Sequence, residues 1–354
     1  MKQKIIASRL NNHKLTTANP ETLTPGSIVS WMGAIQAQDF NMGKWAIGAR
    51  LPKVPDRMIE DSLNKGEIIQ THILRPTWHF VAAEDIHWML ELSAPRVKVS
   101  IRSYDKELEL IPEFLHKAYS LITKELQKGQ HLTRVEMSAK FAEAGIEITD
   151  TRLKHIMFHA ELEGIVCNGT VVNKKQTYCL LEEKVKKTGS LSREEALEKL
   201  ARKYFQSHSP ATFQDFLWWS GLTTREARLG MELIRHDFWI ENIDGQEYWF
   251  KNSQPEFPIN ANQIHLLPAF DEYFVSYKDR KHILTTEHHK KVIVSNGVFR
   301  PMIIKGGEII GTWKRVVRKH KITAEPELFS KQSNKTIGLI EKAAAEYELF
   351  NSKD

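Results

Sequence analysis

The order of elements along this chain, in which helices repeatedly precede a two-stranded ribbon, constrains its fold more than any other feature of the sequence. Apolar residues at helical spacing predict helices over 5–15, 27–38 and 56–64. Strand-like runs follow at 68–74 and 78–82. Helices that lead into a β-ribbon in this order are typical of a winged helix-turn-helix unit.

The same order returns twice further along the chain, and Thr133 and Thr149 are the predicted starts of two helices in the second copy. Thr151-Arg152 and Thr224-Arg225 stand at equivalent points of the two later copies, near the start of a helix. In the third copy, Asp244-Gly245 separates two strand-like runs, which is a strong hairpin signal. A degenerate internal repeat of this kind predicts winged helices in tandem.

The predicted fold class is therefore α+β, with three tandem winged helix-turn-helix units followed by a small, barrel-like C-terminal β-rich domain. A chain of 354 residues is longer than one core usually serves. A Pro/Asn-rich linker at 252–263 precedes strand-like runs at 292–295, 299–304 and 308–313. The predicted divisions are winged helix 1 over 1–83, a helical connector over 84–129, winged helix 2 over 130–188, winged helix 3 over 189–252, and the C-terminal domain with its terminal helix over 253–354.

Positive charge is concentrated in the C-terminal part of the chain. Residues 278 to 321 include twelve Lys or Arg and three acidic residues, a net charge of +9, whereas the whole chain carries +6. This concentration favours contact with phosphates, although basic residues on solvated β-turns would give the same count. The residues that we predict to contact DNA are Arg152 and Lys154 on the recognition helix of the second unit, and Arg280, Lys281, His288, His289, Lys290, Lys291, Arg300, Lys314 and Arg315.

Other classes of protein have little support in the sequence. Two cysteines, Cys167 and Cys179, cannot form a disulfide framework, and we expect reduced, packed thiols. No run of residues suits a signal peptide or a membrane span, which predicts a cytoplasmic protein without membrane contact. We expect no cofactor and no metal, because His155 and His159 lack a third ligand at a familiar spacing and no Gly-rich phosphate loop or Cys-x-x-Cys is present.

The first candidate site is Gln36-Ala37-Gln38, at the C-terminal end of the predicted 27–38 helix. Residues two apart on a helix point in different directions, so the two amides converge only if the helix ends there. The alternative is an ordinary polar helix end, in which Asp39 caps rather than acts as a base. Arg75, Thr77 and His79 alternate along a predicted strand, where they either line the site or brace the helix that carries Gln36.

Two further groups of residues each have two interpretations. Asp271-Glu272 has the composition of an acid/base pair, but adjacent side chains face apart, which favours a salt bridge to Arg280 or Arg300. Trp218-Trp219 and Tyr248-Trp249 either stack on bases or, as is commoner for aromatic pairs in winged helices, belong to the core.

Four stretches together resemble the AlkZ-like winged-helix proteins, a family that includes DNA glycosylases that unhook interstrand crosslinks. They are 33–39 with its Gln-x-Gln element, 45–51, 75–79 with its Arg-x-Thr-x-His pattern, and a C-terminal group formed by 267–273, Asp279-Arg280 and 311–314. The resemblance covers nearly the whole chain in the expected order. A related subgroup has Asp at the position of Gln38, so this chain is similar to the Gln-x-Gln members.

The resemblance implies three winged helices and a β-domain around a basic concave surface for damaged duplex DNA, with Gln36 and Gln38 as the catalytic residues. The implied reaction is hydrolysis of the N-glycosidic bond of an N7-alkylpurine or an interstrand-crosslinked base. We expect a monofunctional enzyme, because no lysine is placed as a Schiff-base nucleophile, and we assign the family's DNA-probing β-hairpin to the His- and Lys-rich loop 281–291.

Three DNA-binding units in one chain already supply an extended surface, so we expect a monomer. The alternative function is a non-catalytic winged-helix DNA-binding protein, such as a transcription regulator, which usually binds as a dimer with half-site symmetry.

Overall fold

The structure is a computed structural model, and it describes residues 1–16, 22–173, 175–187, 189–251, 259–294, 297–319 and 321–352. These residues form two compact units. Unit 1 comprises Met1–Ile59 and Leu197–Asp354, and unit 2 comprises Glu60–Ala196. The five-part division of the chain stays a prediction, and most of the predicted linker (252–258) lies outside the described residues.

The N-terminal part of unit 1 is mainly helical. Its elements are α1 (Lys2–Asn12), α2 (Pro25–Met32), the short strand β1 (Ile35–Gln36) and α3 (Phe40–Gly48), after which α4 (Asp56–Asn64) carries the chain into unit 2. The helix predicted over 27–38 is therefore wrong beyond Met32. Gly33 ends α2 with φ of +78°, a conformation that an L side chain rarely adopts, and the Gln-x-Gln segment follows on non-helical backbone.

Unit 2 is mainly helical and includes two antiparallel pairs of strands. Its elements are β2 (Ile68–His72), β3 (Trp78–Ala82), α5 (Ile86–Glu107), α6 (Pro112–Leu126), α7 (Arg134–Glu143), α8 (Asp150–Leu162), β4 (Val166–Asn168), β5 (Tyr178–Leu180) and α9 (Leu181–Lys184). Strands β2 and β3 pair antiparallel, as do β4 and β5. Thr133 and Thr149 cap α7 and α8 by accepting backbone N–H groups, which confirms the predicted helix starts.

The helix α10 (Arg193–His208) carries the chain back into unit 1. It is followed by α11 (Phe213–Ser220), α12 (Thr224–Leu233) and the antiparallel pair β6 (Phe238–Ile243) and β7 (Gln246–Lys251). Asp244 and Gly245 both have positive φ, +52° and +78°, which is the backbone of a type I′ hairpin turn. The predicted hairpin is confirmed.

The C-terminal part of unit 1 is built on an open, antiparallel four-stranded sheet. Its elements are β8 (Ile264–Leu267), α13 (Glu272–Val275), α14 (His289–Val292), β9 (Met302–Lys305), β10 (Glu308–Arg318), β11 (Lys321–Leu328) and α15 (Asn334–Phe350). The strand order is β11-β10-β9-β8, so the sheet is not the predicted barrel. The predicted terminal helix is present as α15, which packs against the edge strands β8 and β11.

The strand predicted at 292–295 is also wrong. Val292 ends α14 and is fully buried, and residues 295–296 lie outside the described residues. A short apolar run does not by itself distinguish a strand from a buried helical turn.

A buried ion pair joins the end of α3 to the start of α13 in unit 1. Arg50 Nη1 and Nη2 donate to the two carboxylate oxygens of Asp271 over 2.8 and 2.9 Å. Arg50 is 1% exposed and Asp271 0% exposed, and Asp271 Oδ1 also accepts the backbone N–H of Tyr273. The predicted salt bridge of the Asp271-Glu272 pair thus exists, but its partner is Arg50 rather than Arg280 or Arg300.

We expect Asp271→Ala to lower the free energy of unfolding by about 3–5 kcal/mol, because it leaves the Arg50 guanidinium buried without its carboxylate. The matched control is Glu327→Ala, which removes the exposed partner of Lys314 and should cost less than about 1 kcal/mol. Urea denaturation of both variants measures the difference. Equal losses in the two variants would contradict this account of the buried pair.

Candidate functional site

The Gln-x-Gln segment lies between two helices rather than at the end of one. Gln36 belongs to β1, Asp39 has extended backbone with φ of −106° and ψ of 114°, and α3 begins at Phe40. The predicted helix end at Gln38 is therefore replaced by a non-helical segment that joins α2 to α3.

The two glutamines have different environments. Gln36 is 7% exposed, and its backbone N–H donates to Oε1 of Glu272 over 2.7 Å. Gln38 is exposed to solvent. The segment is therefore held through the main chain of Gln36, while the side chain of Gln38 is accessible.

Asp39 is the N-cap of α3. Its Oδ1 accepts the backbone N–H groups of Asn41 and Met42, each over 3.1 Å. These bonds satisfy two donors that have no partner within the helix. Asp39 thus caps a helix, but at the start of α3 rather than at the predicted helix end, and its use as a base stays a prediction.

In unit 2, the Arg-x-Thr-x-His residues do not alternate along one strand. His79 lies in β3, but Arg75 and Thr77 lie in the turn between β2 and β3, so the predicted shared strand face is wrong. Arg75 Nη2 lies 3.3 Å from His79 Nε2, and His79 Nδ1 lies 2.9 Å from the carbonyl oxygen of Thr77. The turn thus folds back on the fully buried His79.

Unit 2 also contains a polar pocket that the sequence did not indicate. Glu161, 2% exposed, accepts hydrogen bonds from the Trp78 indole and the His72 backbone, and its Oε2 lies 2.5 Å from His72 Nδ1. The pocket has a volume of about 110 Å³. Its lining residues are Gln70, Trp78, Arg134, Glu161, Asn168, Gln176, Thr177 and Tyr178.

His155 and His159 do not converge on a common point for a metal. His159 Nε2 lies 2.7 Å from Asp105 Oδ1, whereas the His155 ring packs on Tyr104 with ring centroids 5.2 Å apart. Burial lowers the pKa of His155. Across the ranges that the structure describes, no group of three or more His, Cys, Asp or Glu side chains could hold a metal ion.

The residues predicted to contact DNA differ in exposure. Those exposed to solvent are Lys154, Lys281, Lys290, Lys291 and Lys314. Those partly buried are Arg152, Arg280, His288, His289, Arg300 and Arg315. Their DNA contacts stay a prediction, but the first group can reach a ligand without rearrangement.

Local packing explains the burial of the second group. The Arg152 guanidinium lies 4.1 Å from the ring centre of Phe114 in unit 2. In unit 1, Arg280 Nε donates to the Phe274 carbonyl over 2.9 Å and the His288 ring stacks on Phe329. Long basic side chains of this kind cover apolar surface as well as carrying charge.

The loop 281–291 is not a β-hairpin. Residues 286–288 form a 3-10 turn that leads directly into α14, so the predicted position of the DNA-probing hairpin is wrong. The long hairpin of this region is β10–β11, whose register pairs Trp313 with Pro326 and Arg318 with Lys321. The side chains of Arg318 and Lys321 at its end are 77% and 72% exposed.

The two cysteines and most residues of the two aromatic pairs are buried. Cys167 and Cys179 are cross-strand partners with sulfur atoms 3.8 Å apart, and both are free thiols. Trp219, Tyr248 and Trp249 are buried, which confirms the core interpretation for them. Trp218 is 40% exposed, with its indole N–H bonded to the Val275 carbonyl.

None of the described helices is long and apolar enough to cross a bilayer.

Comparisons with known proteins agree with the resemblance found in the sequence. The family model described as "DNA glycosylase AlkZ-like" matches residues 29–350. The interstrand DNA cross-link repair glycosylase of Streptomyces sahachiroi is 22% identical over 323 residues, which is 85% of this chain and 84% of that protein. The solved structure of Streptomyces sahachiroi DNA glycosylase AlkZ is similar with a TM-score of 0.79 and 17% identity, over 98% of this chain and 96% of that chain.

We expect Asp39→Ala to destabilise the protein by about 1 kcal/mol and Asp39→Asn to leave stability nearly unchanged, because Asn is an equally good N-cap. Urea denaturation of the three proteins measures this. Equal destabilisation by Ala and Asn would show that the charge of Asp39, rather than its capping bonds, is what matters.

Proposed function

This chain belongs to the AlkZ-like DNA glycosylase family, and from that membership we propose that it hydrolyses the N-glycosidic bond of alkylated or interstrand-crosslinked bases in duplex DNA. The relative from Streptomyces sahachiroi is named an interstrand DNA cross-link repair glycosylase. The observation that carries the proposal is the Gln-x-Gln segment, in which Gln36 is fixed through its main chain and Gln38 is exposed.

The chemistry suits uncharged catalytic groups. Breaking the bond between sugar and base builds positive charge at C1′, and most normal bases need protonation before they leave. An N7-alkylated guanine already carries positive charge, so it leaves with the electron pair of the broken bond without an acid. A water molecule then adds to C1′ and loses a proton to solvent, which gives an abasic site and the free alkylpurine.

The roles of the glutamines follow from this reaction. An amide oxygen can accept a hydrogen bond from the attacking water and present the negative end of its dipole to the sugar. One positioned polar group is worth roughly 2.7–4 kcal/mol in comparable sites, or a rate factor of about 10²–10³. That factor suits a labile lesion better than an undamaged base. We propose that Gln36 and Gln38 together position the attacking water, and that the enzyme is a monofunctional glycosylase.

Three places in the chain support the proposal of tandem winged helices. In each, helices precede an antiparallel pair of strands: α4 precedes β2–β3, α7 and α8 precede β4–β5, and α11 and α12 precede β6–β7. The second helix of such a unit normally enters the major groove of DNA. Arg152 and Lys154 lie in α8, the helix that would take this position in the second unit.

We propose that β10–β11 is the DNA-probing hairpin. Its exposed basic residues include Lys314, Arg318 and Lys321, each within 3.5 Å of a glutamate. Exposed ion pairs of this kind are weak and screened by salt, so a phosphate can replace the glutamate.

We expect Gln36→Ala and Gln38→Ala each to slow the release of N7-methylguanine from duplex DNA by about 10²–10³-fold, since each removes one positioned amide. Gln127→Ala, at an exposed glutamine that ends α6, is the control and should match wild type. The measurement is a single-turnover gel assay in which alkali cleaves the abasic product. A duplex with a nitrogen-mustard crosslink tests unhooking in the same way.

A wild-type protein that binds these duplexes without releasing a base would contradict the glycosylase proposal and support a non-catalytic DNA-binding protein. Alanine variants as fast as wild type would contradict the assignment of the two glutamines alone.

We expect Arg318→Ala and Lys321→Ala to weaken DNA binding and to reduce the slope of log K against log salt by about 1 each, because each removes one phosphate contact. Lys124→Ala, in which a 73% exposed lysine outside the predicted DNA-binding set is removed, is the control and should leave the slope unchanged. Fluorescence anisotropy over a range of salt concentrations measures the slopes. Unchanged slopes in the hairpin variants would rule out the phosphate contacts.

A further inference from the structure

We propose that Glu272 is a positioning residue for the glycosylase site, because its buried carboxylate fixes the backbone of Gln36 and thereby aims the Gln-x-Gln amides. This inference rests on the proposed function. Glu272 does not touch the reacting atoms in this proposal; it acts through Gln36.

The contact that carries the proposal joins residues far apart in the sequence. Glu272 Oε1 accepts the backbone N–H of Gln36 over 2.7 Å, and Glu272 is 0% exposed. A hydrogen bond from a peptide N–H to a carboxylate is roughly twice as strong as one between neutral groups. It therefore restrains the peptide plane that leads into the Gln36 side chain.

The other carboxylate oxygen is held so that Glu272 cannot turn away. Oε2 accepts the indole N–H of Trp219 over 3.1 Å and a hydrogen bond from the hydroxyl of Ser276. His208 Nε2 lies 3.9 Å from the same oxygen, and burial lowers the pKa of His208, so the imidazole is neutral at neutral pH.

The surrounding packing keeps these donors in place. The ring of Trp219 lies against Gly33, where an added Cβ would come within 3.4 Å of the indole. The Tyr204 ring stacks on His208 at 4.7 Å, and its hydroxyl donates to the Ser276 carbonyl over 3.0 Å. His208 and Ser276, which both lie beside the Glu272 carboxylate, are thus held by Tyr204 independently of the Gln36 contact.

The neighbouring ion pair extends the same restraint to the other end of the segment. Asp271 binds Arg50, just beyond the C-terminal end of α3, while Glu272 binds Gln36 just before the N-terminal end of that helix. Two consecutive carboxylates therefore fix both ends of the 36–50 segment. A displacement of about 1 Å in a catalytic group can cost 10²-fold in rate, so such a restraint has a direct kinetic consequence.

The substitution Glu272→Gln tests the proposal with little change of shape. An amide has one acceptor oxygen, whereas Glu272 uses both oxygens as acceptors, so the variant must present its NH₂ group to one of the donors. We expect release of N7-methylguanine under single-turnover conditions with saturating enzyme to slow by roughly 10- to 100-fold. The dissociation constant for the same duplex should not change.

The matched control is Asp215→Asn, another buried carboxylate of unit 1 that accepts backbone N–H groups. Asp215 binds the N–H groups of Thr212 and Lys278 over 2.9 and 2.8 Å and has no bond to the Gln36 backbone. We expect Asp215→Asn to lower the melting temperature and to keep the wild-type rate below that temperature. If Glu272 had a structural role alone, Glu272→Gln would behave in the same way.

The amide proton of Gln36 gives a readout that does not need catalysis. In the NMR spectrum of the selectively ¹⁵N-glutamine-labelled full chain, this proton should move upfield in Glu272→Gln and stay in place in Asp215→Asn. A wild-type protein that releases no base would overturn the proposed function and the catalytic positioning together. An active wild type with a Glu272→Gln variant of equal rate, or an unmoved Gln36 amide proton, would overturn the positioning role alone.

Discussion

The arrangement of unit 1 depends on two consecutive buried carboxylates at the start of α13. Asp271 forms a two-bond pair with Arg50, and Glu272 accepts the backbone N–H of Gln36. Buried charges are costly unless they are paired or hydrogen-bonded. Asp271 is ion-paired with Arg50 and Glu272 accepts a hydrogen bond from the Gln36 backbone, in each case from a residue more than two hundred positions away. The packing of the C-terminal part of unit 1 and the backbone geometry at Gln36 therefore depend on the same contacts.

The same constraint supports the proposal that the neutral side chains of Gln36 and Gln38 are catalytic groups. Carboxamides are weak bases and weak nucleophiles, so their value in catalysis depends on where their dipoles point when charge develops. A flexible loop would lose that benefit to reorganisation. Here the segment is fixed by a carboxylate before it and by a helix cap after it, since Asp39 accepts two backbone N–H groups of α3. Under the proposed function, a segment restrained in this way suits a substrate whose leaving group is already cationic.

Local signals predicted many elements but failed where distant contacts decide the outcome. The cap residues Thr133 and Thr149 and the Asp244-Gly245 turn act within a few residues, and the helices and hairpin they indicated are present. The helix predicted through Gln38 failed because the positive φ of Gly33 allows the chain to leave the helix and meet Glu272. The predicted barrel and the predicted 281–291 hairpin are wrong for a similar reason: the pairing of β10 with β11 depends on contacts that the apolar and basic runs do not specify.

The sequence by itself determined the order of helices and hairpins, the concentration of basic residues after residue 278 and the presence of the Gln-x-Gln element, because each depends on spacing or residue type over a short stretch. Only the tertiary structure decided that Gln36 is buried and Gln38 exposed, and that Asp39 caps α3. It also decided that Asp271 pairs with Arg50 rather than with Arg280 or Arg300. The physical reason is that a buried polar group takes whichever partner the packed core brings within hydrogen-bonding distance, and sequence separation places no limit on that choice.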